Sequence, residues 1–434
     1  MVNILYANDT PGEYPQSYYA ATATMLAPFD ALAGSQRADV CIIGGGYSGL
    51  SAALHLRARG FDVALLDAHR VGWGASGRNG GQIGTGQRVE QEALIKSVGS
   101  EHARQLWEIS EDAKTLVHTL IEKHAIDCGY RSGVIHANHK PHWRDDTMRH
   151  VELLNREYGY DKIRYVDDHE LHEMLATSSY FDGTFDTGAG YLHPLQYALG
   201  LARACDKAGV RIYEKSEVLE IVEGDPATIR TPGGELRANY IVIAANGYFG
   251  ALHRKLSAHV MPINNYIIAT EPLEERLAQS LIANNAAVAD SKFVINYYRM
   301  SQDRRLLFGG RESYRYKFPG DIKSYVRASM LKIYPQLQDV RIDFGWGGTL
   351  GITMNRMPYF DRLAPNILTV GGYSGHGVSM ATIAGAIAAE TIGGVAERFE
   401  AMNKAPTPPI PGGAALRVPL LALGMAYYSV RDRM

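Results

Sequence analysis

The order of apolar and polar positions near the start of the chain predicts a strand, a helix and a second strand in quick succession. The apolar run DVCII, at 39–43, is typical of a buried parallel strand, and DVALLD, at 62–67, is typical of another. Between them apolar residues recur at helical spacing over 50–58, and Gly60 stands where a helix would end. The whole stretch therefore predicts one βαβ unit.

The rest of the chain contains both the helical and the strand pattern of apolar residues. Apolar positions at helical spacing predict helices, and alternating or continuous apolar runs predict strands. The predicted helices are Ser97–Ile126, Arg144–Tyr158, Pro194–Gly209, Lys323–Tyr334 and Val378–Glu390. The predicted strands are a hairpin feeding a buried strand over Arg211–Ala244, then His259–Thr270, Phe293–Arg299 and Arg304–Gly310.

Composition places the chain among ordinary globular proteins. Its 434 residues are enough for two or three domains, and 46% of them are apolar. The formal net charge of −2 gives no electrostatic reason to expect a nucleic acid partner. Cys41, Cys128 and Cys205 form no C-x-x-C motif, which argues against a disulfide framework, a metal site and a dithiol redox centre. We therefore expect a reducing, cytoplasmic setting.

The two ends of the chain show no strong targeting signal. The first residues lack a charged segment followed by an apolar one, so no secretory signal is expected. No apolar run approaches the roughly 20 residues that span a bilayer. The loop at 405–413 leads to the apolar segment 418–428, which predicts a docked C-terminal helix or strand. The alternative is a weak peripheral membrane contact beside Arg417, Arg431 and Arg433.

A glycine motif lies inside the predicted βαβ unit. Gly44, Gly46 and Gly49 form G-x-G-x-x-G, in which the glycines permit a tight turn, a close pyrophosphate and close packing of helix on strand. Asp67 ends the second strand, where an acid accepts hydrogen bonds from ribose hydroxyls and disfavours the 2′-phosphate of NADP. A dinucleotide site is therefore predicted. Its expected contacts are Gly44, Gly46, Tyr47, Ser48, Gly49, Asp67 and Ala68.

A second glycine-rich stretch, GASGRNGGQ at 74–82, follows soon after the acid. Glycines cost conformational entropy, so a ligand that orders this stretch explains it better than a flexible surface loop does. The chain has a single G-x-G-x-x-G, which argues against a reductase that binds two nucleotides. A plain NAD dehydrogenase seldom carries a second such stretch, whereas the flavin of FAD must be gripped beyond the first loop. The second stretch therefore favours FAD.

At this point the sequence resembles a known family. The stretch VCIIGGGYSGLSAALHLRARGFDVALLDAHRVGWGASGRNGGQ is similar to the D-amino-acid-oxidase-like superfamily of flavoproteins. The resemblance continues through GYLHPLQYA, YIVIAANGY, YYRMSQDRRLLFGG and GYSGHGVSMATIAG, and within the superfamily it is strongest to bacterial γ-glutamylputrescine oxidases and related amine and L-pipecolate oxidases. It implies an α/β fold, with a Rossmann-like FAD-binding domain and a second, mainly antiparallel β-sheet domain for the substrate.

The resemblance also implies how the domains divide the chain. We expect a discontinuous FAD-binding domain over 37–95, 190–258 and 340–400. A substrate-binding domain is expected over 96–189 and 259–339. The remaining residues, 401–434, are expected as a tail docked on the body.

The same resemblance assigns roles to the second stretch. Ser76 and Arg78 are expected to hold the phosphate or the flavin edge, and the residues after them to lie against the flavin ring. The expected contacts are Ala75, Ser76, Arg78, Asn79, Gly80, Gly81 and Gln82. Relatives attach FAD covalently through a late cysteine or through a histidine in this loop. Here no cysteine follows Cys205 and the loop reads WGAS, so we expect non-covalent FAD.

A third flavin element is expected at GGYSGHG, 371–377, where a helix begins. The partial positive charge of a helix N-terminus would stabilise the anionic reduced flavin, and His376 would add a donor there. The alternative for His376 is an ordinary loop histidine. The expected contacts of this element are Gly375, His376, Gly377 and Val378, and those of the adenine half are Val218, Ala245 and Asn246.

The implied reaction is oxidation of a C–N bond by hydride transfer to flavin N5. The product is an imine that hydrolyses, and the electrons pass to O₂, giving H₂O₂, or to another acceptor. Such catalysis rests mostly on positioning and desolvation. Residues expected around the substrate are Asn265, Tyr266, Tyr298, Arg299, Trp346, Tyr373 and His376, each aromatic one having a core position as its alternative. Arg299 is expected as a carboxylate clamp, with a surface salt bridge as its alternative.

Two departures from the γ-glutamylputrescine enzymes put that exact substrate in doubt. They are the small side chains of Gly347–Thr353 and the strand INNYIIATEP at 263–272. Three functions therefore stay open: a γ-glutamylputrescine-like amine oxidase, an oxidase or dehydrogenase of a cyclic secondary amino acid such as L-pipecolate, and a non-catalytic flavin-binding electron carrier.

Overall fold

In the computed structural model of the chain, residues 3–250, 252–313 and 315–411 are described. Within these ranges the chain forms twelve α-helices and seventeen strands, and the strands make two sheets. None of the helices in this part of the chain is both long enough and apolar enough to cross a bilayer.

The helices in chain order are α1 (Tyr18–Thr22), α2 (Tyr47–Ala58), α3 (Gln91–Val98), α4 (Ser100–Lys123), α5 (Arg144–Glu157), α6 (Asp168–Met174), α7 (Pro194–Lys207), α8 (Arg254–His259), α9 (Glu275–Leu281), α10 (Ile322–Ile333), α11 (Gly377–Ile392) and α12 (Glu397–Lys404).

The strands in chain order are β1 (Gly34–Ile43), β2 (Val63–Leu66), β3 (Gln82–Ile83), β4 (Arg131–Asn138), β5 (Ile163–Val166), β6 (Asp182–Tyr191), β7 (Arg211–Tyr213), β8 (Glu220–Val222), β9 (Ala227–Thr231), β10 (Gly234–Ile243), β11 (Met261–Thr270), β12 (Ala287–Asp290), β13 (Tyr297–Met300), β14 (Leu306–Ser313), β15 (Ile342–Ile352), β16 (Tyr359–Ala364) and β17 (Ile367–Gly371).

The first sheet has the strand order β16-β17-β10-β1-β2-β7, with β9 paired to β10 and β8 to β9. The strands from β17 to β7 are parallel. The predicted βαβ unit is present as β1, α2 and β2. Successive residues of β1 face opposite sides, with Val40 and Ile42 in the core under α2, α7 and α11, and Cys41 and Ile43 in a second core on the other face.

The second sheet has the order β15-β11-β14-β13-β12-β4-β6-β3, with β5 paired to β6. Its neighbours are antiparallel except for β4 and β12. Helix α10 packs on β11, β14 and β15. Tyr266, Tyr298 and Phe308 are buried in the core of this sheet with residues of α10. The predicted mainly antiparallel substrate sheet is therefore present.

Several elements differ from the expected pattern. The long helix predicted over 97–126 is split, because Gly99 adopts φ 82° and separates α3 from α4. Strand β15 pairs with β11 in the second sheet although 340–400 was assigned to the cofactor domain, and α4 packs against α11 although 96–189 was assigned to the substrate domain. The domain boundaries themselves stay a prediction.

The expected docked tail is described only in part. Residues 412–434, which include the apolar segment, lie outside the described residues. Before them Ile410 is buried with Met261, Ile263 and Ile352, and its amide donates to the carbonyl of Ala258 at 2.7 Å.

Candidate cofactor and substrate site

A cavity of about 2230 Å³ lies between the two sheets. Its floor follows the carboxyl ends of β1, β2, β10 and β17, which is where ligands bind in open parallel sheets. We call residues 44–49, 74–82 and 372–378 the cofactor wall. The residues of the second sheet that face them, Asn265, Ile267, Tyr297 and Leu350, are called the roof. The volume is more than twice the upper end of about 1,000 Å³ typical for a small ligand.

The first glycine loop admits no larger residue at its ends. A Cβ on Gly49 would lie 1.9 Å from the carbonyl oxygen of Gly44, and Gly44 itself adopts φ 112°. Helix α2 starts at Tyr47, and its N-cap, Gly46, has no side chain to occupy the amides of the first turn. The Tyr47 amide donates to the Ser76 hydroxyl, and the other amides of the first turn stay available to an anionic group in the cavity.

Asp67 anchors this loop from the end of β2. Its two carboxylate oxygens accept hydrogen bonds from the amides of Gly45 and His69, each at 2.8 Å. Burial raises the pKa of Asp67 to about 6, against the opposing effect of those two amides. At pH 7 the group is therefore mostly ionised, and Asp67 lines the cavity beside Ala68 with lone pairs left to accept further hydrogen bonds.

The side chains of the second glycine-rich stretch fold the wall itself. The hydroxyl of Ser76 accepts from the amide of Tyr47 at 3.0 Å and so caps α2 from another loop. The amide of Asn79 donates to the carbonyls of Ala75 and Ser76, and its oxygen accepts from the Gly81 amide at 2.7 Å. The expected direct contact of Ser76 with a phosphate thus competes with a structural bond that the sequence analysis did not foresee.

Arg78 is held mainly by protein groups. Its guanidinium donates from Nε to the Trp73 carbonyl at 2.7 Å and from Nη1 to Asp9 at 2.9 Å, and it lies over the Trp73 ring at 4.3 Å. Buried Nη2 has no partner among the described residues, and Arg78 lines the cavity. One donor of this side chain is therefore left for a ligand.

The third part of the cofactor wall is the turn before α11. Gly372, Ser374 and Gly375 all adopt positive φ angles, and the Tyr373 and Ser48 hydroxyls lie 2.6 Å apart, which ties this turn to α2. His376 caps α11 and lines the cavity.

His376 is neutral at pH 7. Burial lowers the pKa of His376 to about 4, and the charge of Arg88 adds to this effect. Its buried Nε2 has no hydrogen-bond partner among the described residues. The imidazole also lies close to Gly84, where a Cβ would be 2.6 Å from Cε1.

Most of the predicted cofactor contacts line this one cavity. Gly49 and Gly81 do not, because they pack directly on the carbonyls of Gly44 and Leu192 behind the wall. The predicted residues that line the cavity are Gly44, Gly46, Tyr47, Ser48, Asp67, Ala68, Ala75, Ser76, Arg78, Asn79, Gly80, Gln82, Val218, Ala245, Asn246, Gly375, His376, Gly377 and Val378.

The wall fits an extended dinucleotide such as FAD. Helix amides lie at the first loop, an ionised acid lies at one side, and two buried nitrogens, Arg78 Nη2 and His376 Nε2, have no partner within the described part of the chain. Small residues line the path between them, since a Cβ on Gly46 would lie 2.8 Å from the Ser76 hydroxyl. FAD would be held by backbone amides and these polar groups. Non-covalent attachment stays a prediction.

The roof corrects two predicted substrate contacts. Asn265, Ile267 and Tyr297 line the cavity, whereas Tyr266 and Tyr298 lie on the opposite face of their strands. Tyr298 stacks on Phe308, with ring centroids 5.4 Å apart, and Tyr266 packs edge-on against Phe318. The predictions for Tyr266 and Tyr298 were wrong by one residue, because neighbouring side chains of a strand point to opposite faces.

The predicted clamp Arg299 and the predicted contact Trp346 also lie outside the cavity lining. The Arg299 guanidinium donates to the carbonyls of Gly80 at 2.9 Å, Leu192 at 3.1 Å and Met300 at 3.4 Å. It therefore ties β13 to the cofactor wall. Neither a carboxylate clamp nor the alternative surface salt bridge describes it, since no ion pair joins it to another described residue. Trp346 is buried and donates to the Arg78 carbonyl at 3.0 Å.

Sequence reasoning missed several polar residues of the cavity. Tyr297 lies on the roof, and its hydroxyl donates to Asn265 at 2.5 Å. Arg88, His136 and Arg356 line the same cavity. A signal for Arg88 was available, because it stands in the polar run GTGQRVE directly after the second glycine-rich stretch.

A fold with this wall and roof defines a flavin-dependent oxidoreductase. The profile of the family described as FAD dependent oxidoreductase (DAO) matches residues 39–391. The chain belongs to this family, and FAD is its cofactor.

Two relatives that match nearly the full chain indicate which kind of oxidoreductase it is. The chain is 41% identical over 423 residues to gamma-glutamylputrescine oxidoreductase of Escherichia coli (strain K12), which covers 97% of this chain and 99% of the relative. It is 42% identical over 418 residues to the probable oxidoreductase OrdL of Rhizobium meliloti (strain 1021), covering 96% and 97%. The chain is therefore an FAD-dependent oxidoreductase of the family that acts on amines and amino acids.

Solved structures support the fold. The glycine oxidase of Geobacillus kaustophilus superposes with a TM-score of 0.68 at 21% identity, covering 84% of this chain and 95% of that one. The L-proline dehydrogenase of P. horikoshii gives a TM-score of 0.68 at 20% identity, covering 83% and 94%. At these identities the likeness concerns the fold alone.

Proposed function

We propose that the chain oxidises the terminal C–N bond of a γ-glutamylputrescine-like amine, with O₂ as the electron acceptor and H₂O₂ as a product. The observation that carries the proposal is that the roof and the cofactor wall face each other in one cavity: a Cβ on Gly80 would lie 2.7 Å from the ring of Tyr297. A substrate bound under the roof is thus held against the wall. The relative named for gamma-glutamylputrescine supports the choice of amine.

Bound FAD supplies a two-electron acceptor for this oxidation. Loss of a hydride from the carbon next to the nitrogen turns the neutral amine into an iminium ion, the protonated imine, which water hydrolyses to an aldehyde and ammonium. The residues of the chain serve to bind and orient the amine. Hydride loss requires the neutral amine, so the binding step includes loss of one proton to solvent.

The roof residues orient the amine. Asn265 accepts from Tyr297, and the pair presents polar atoms on a surface that Ile267 and Leu350 otherwise make apolar. Apolar neighbours exclude water and favour the uncharged amine. His376 lines the cavity in its neutral form, and its buried Nε2 can make a hydrogen bond there without adding a positive charge near the substrate.

The test is an anaerobic mixture of the purified holoprotein with γ-glutamylputrescine, L-pipecolate and glycine in turn. Among the three amines, we expect only γ-glutamylputrescine to cause rapid loss of flavin absorbance. After air is admitted, one equivalent of peroxide should form for each molecule of amine oxidised. Loss of absorbance with L-pipecolate instead would replace the proposed substrate. No loss with any amine would favour an electron carrier, and slow recovery in air would favour a dehydrogenase.

The reducing cytoplasm is the compartment we propose. Cys41, Cys128 and Cys205 are all buried and unpaired, so none of them depends on an oxidising environment.

A further inference from the structure

Two guanidinium groups face the cavity without an anionic partner. Arg88 follows β3, Arg356 follows β15, and both line the cavity. Among the described residues, none forms an ion pair or a hydrogen bond with either guanidinium. Arg356 lies over the ring of Phe293, with its guanidinium carbon 5.6 Å from the ring centroid.

These two charges act on each other and on the cavity. Burial and then the charge of Arg356 lower the pKa of Arg88, so the two cations are within electrostatic range. Arg88 adds to the effect of burial in lowering the pKa of His136 and of His376 to about 4. Partly desolvated like charges cost free energy, and a bound anion offsets that cost. An arginine stays charged at every physiological pH, so the charge itself cannot be relieved by loss of a proton.

Acidic side chains lie in the same region. Glu90 and Glu312 both line the cavity, and the charges of both raise the pKa of Arg88. The region thus offers positive groups for a carboxylate and negative groups for an ammonium. This pairing matches an α-amino acid, which carries both.

We propose that Arg88, assisted by Arg356, binds the carboxylate at the far end of the amine substrate. The guanidinium of Arg88 suits a carboxylate because its planar donors match the two oxygens. The substrate class is then a long primary amine whose other end is an amino-acid head. The inference rests on the proposed function and specifies how that site selects its amine.

The shape of the cavity agrees with a long substrate. Besides the cofactor wall and the roof, the lining includes Glu92 of α3 and His150 and Leu153 of α5. A short amino acid would fill only a part of this space.

The experiment compares three amines that differ only at the far end. γ-Glutamylputrescine has a carboxylate and an ammonium there, N-glutarylputrescine has the carboxylate alone, and N-butanoylputrescine has neither. The anaerobic second-order rate constant for loss of flavin absorbance is measured for the holoprotein and for Arg88→Gln. The matched control is Arg230→Gln, which also removes an arginine charge, at an exposed side chain that is not part of the cavity lining and pairs with Glu220 at 2.7 Å.

For Arg88→Gln we expect a loss on the order of 100-fold with both carboxylated amines and less than about 3-fold with N-butanoylputrescine. Arg230→Gln should leave the rate constants of all three amines within about 2-fold. An equal loss across the three amines would overturn the proposal, because Arg88 would then act through the cofactor or the fold. No loss with any amine would overturn it as well.

A second readout needs no turnover. Glutarate binding is followed by the change it causes in the flavin spectrum, with expected saturation in the unaltered holoprotein and about 100-fold weaker binding in Arg88→Gln. If no amine bleaches the flavin but glutarate still binds through Arg88, the proposed function fails while the carboxylate site stands. If amines react and glutarate binding is unchanged in Arg88→Gln, the carboxylate site fails alone.

Discussion

The cofactor wall and the roof face each other across one cavity but are built on different principles. The wall presents mainly backbone: the first-turn amides of α2 that follow Tyr47, and glycines such as Gly44 and Gly49 where a Cβ has no room. The roof presents side chains, chosen by which face of a strand they occupy, as Tyr297 and Tyr298 illustrate. These close-packed glycines of the wall leave no space for a larger residue, whereas the side chains of the roof can change their chemistry without changing the fold.

The largest expected effect comes from adding one carbon to the wall. Gly49→Ala places a Cβ 1.9 Å from the Gly44 carbonyl oxygen, so the loop must open. We expect FAD affinity to fall by more than about 100-fold, as followed by the FAD content of the purified protein and by titration of the apoprotein.

The control for this change is Gly320→Ala. A Cβ there meets nothing within 4 Å, and we expect full FAD content. A Gly49→Ala protein that keeps normal FAD affinity would show that the wall adapts as readily as the roof.

The second effect tests which face Tyr298 occupies. Tyr298→Ala removes a ring stacked in the core of the second sheet and should lower the free energy of unfolding by about 4 kcal/mol. Denaturant unfolding measures this loss of stability. The control is Met148→Ala, at a residue 48% exposed, which should change the free energy of unfolding by no more than about 0.5 kcal/mol. Normal stability combined with altered amine kinetics would instead put Tyr298 on the roof.

The third effect concerns Tyr297, which neighbours Tyr298 in β13 and lies on the opposite face of the sheet. Tyr297→Phe removes the hydrogen bond to Asn265 and should lower kcat/KM for the amine about 10-fold, with a change in unfolding free energy below about 1 kcal/mol. Tyr298→Phe serves as the matched control and should leave kcat/KM unchanged. Equal kinetic effects of the two substitutions would contradict the assignment of faces.

A smaller effect is expected where the two glycine-rich stretches meet. Ser76→Ala removes the acceptor for the first amide of α2 and should cost about 1 kcal/mol of stability together with a few-fold loss of FAD affinity. Ser17→Ala removes a comparable cap from α1, which lies outside the wall. It should cost similar stability and leave FAD affinity unchanged, so a matching loss of affinity in both variants would show that only general stability is involved.

The smallest effect concerns pH. Burial raises the pKa of Asp67 to about 6, so its carboxylate is an acceptor above that pH and becomes protonated below it. We expect FAD affinity to fall a few-fold as pH drops from 7 to 5, and the Asp67→Asn protein to show weaker binding with a flatter pH dependence. Fluorescence titration at several pH values checks this, and tighter binding at pH 5 would contradict it.

The sequence predicted the wall better than the roof for a physical reason. The βαβ unit and its glycine motif follow from local rules, since the turn between β1 and α2 needs glycine whatever lies elsewhere. The roof depends on register, and a shift of one residue exchanges Tyr297 with Tyr298. Arg299 was expected to bind a ligand, but its guanidinium is buried and donates to three backbone carbonyls instead.

The loops after the second glycine-rich stretch were the hardest to predict. Arg88 has no periodic pattern around it, and only the folded chain brings it near Arg356 and His376. The position of α4 was equally hard to predict, because its apolar face is compatible with a helix in either domain. In the folded chain α4 packs on α11.

The strand order of the first sheet bears on how the chain is made. Strand β1 pairs with β10, and α2 packs on α11, so the partners of the first βαβ unit are encoded far downstream in the chain. During synthesis this unit emerges early, with one edge of β1 unpaired. Its partner strand β10 follows only after more than half of the chain has been made, and α11 later still. Such distant pairing slows folding and leaves the nascent chain prone to aggregation until its last helices are released. Production of the folded protein should therefore increase with chaperone supply and with slower synthesis of the chain.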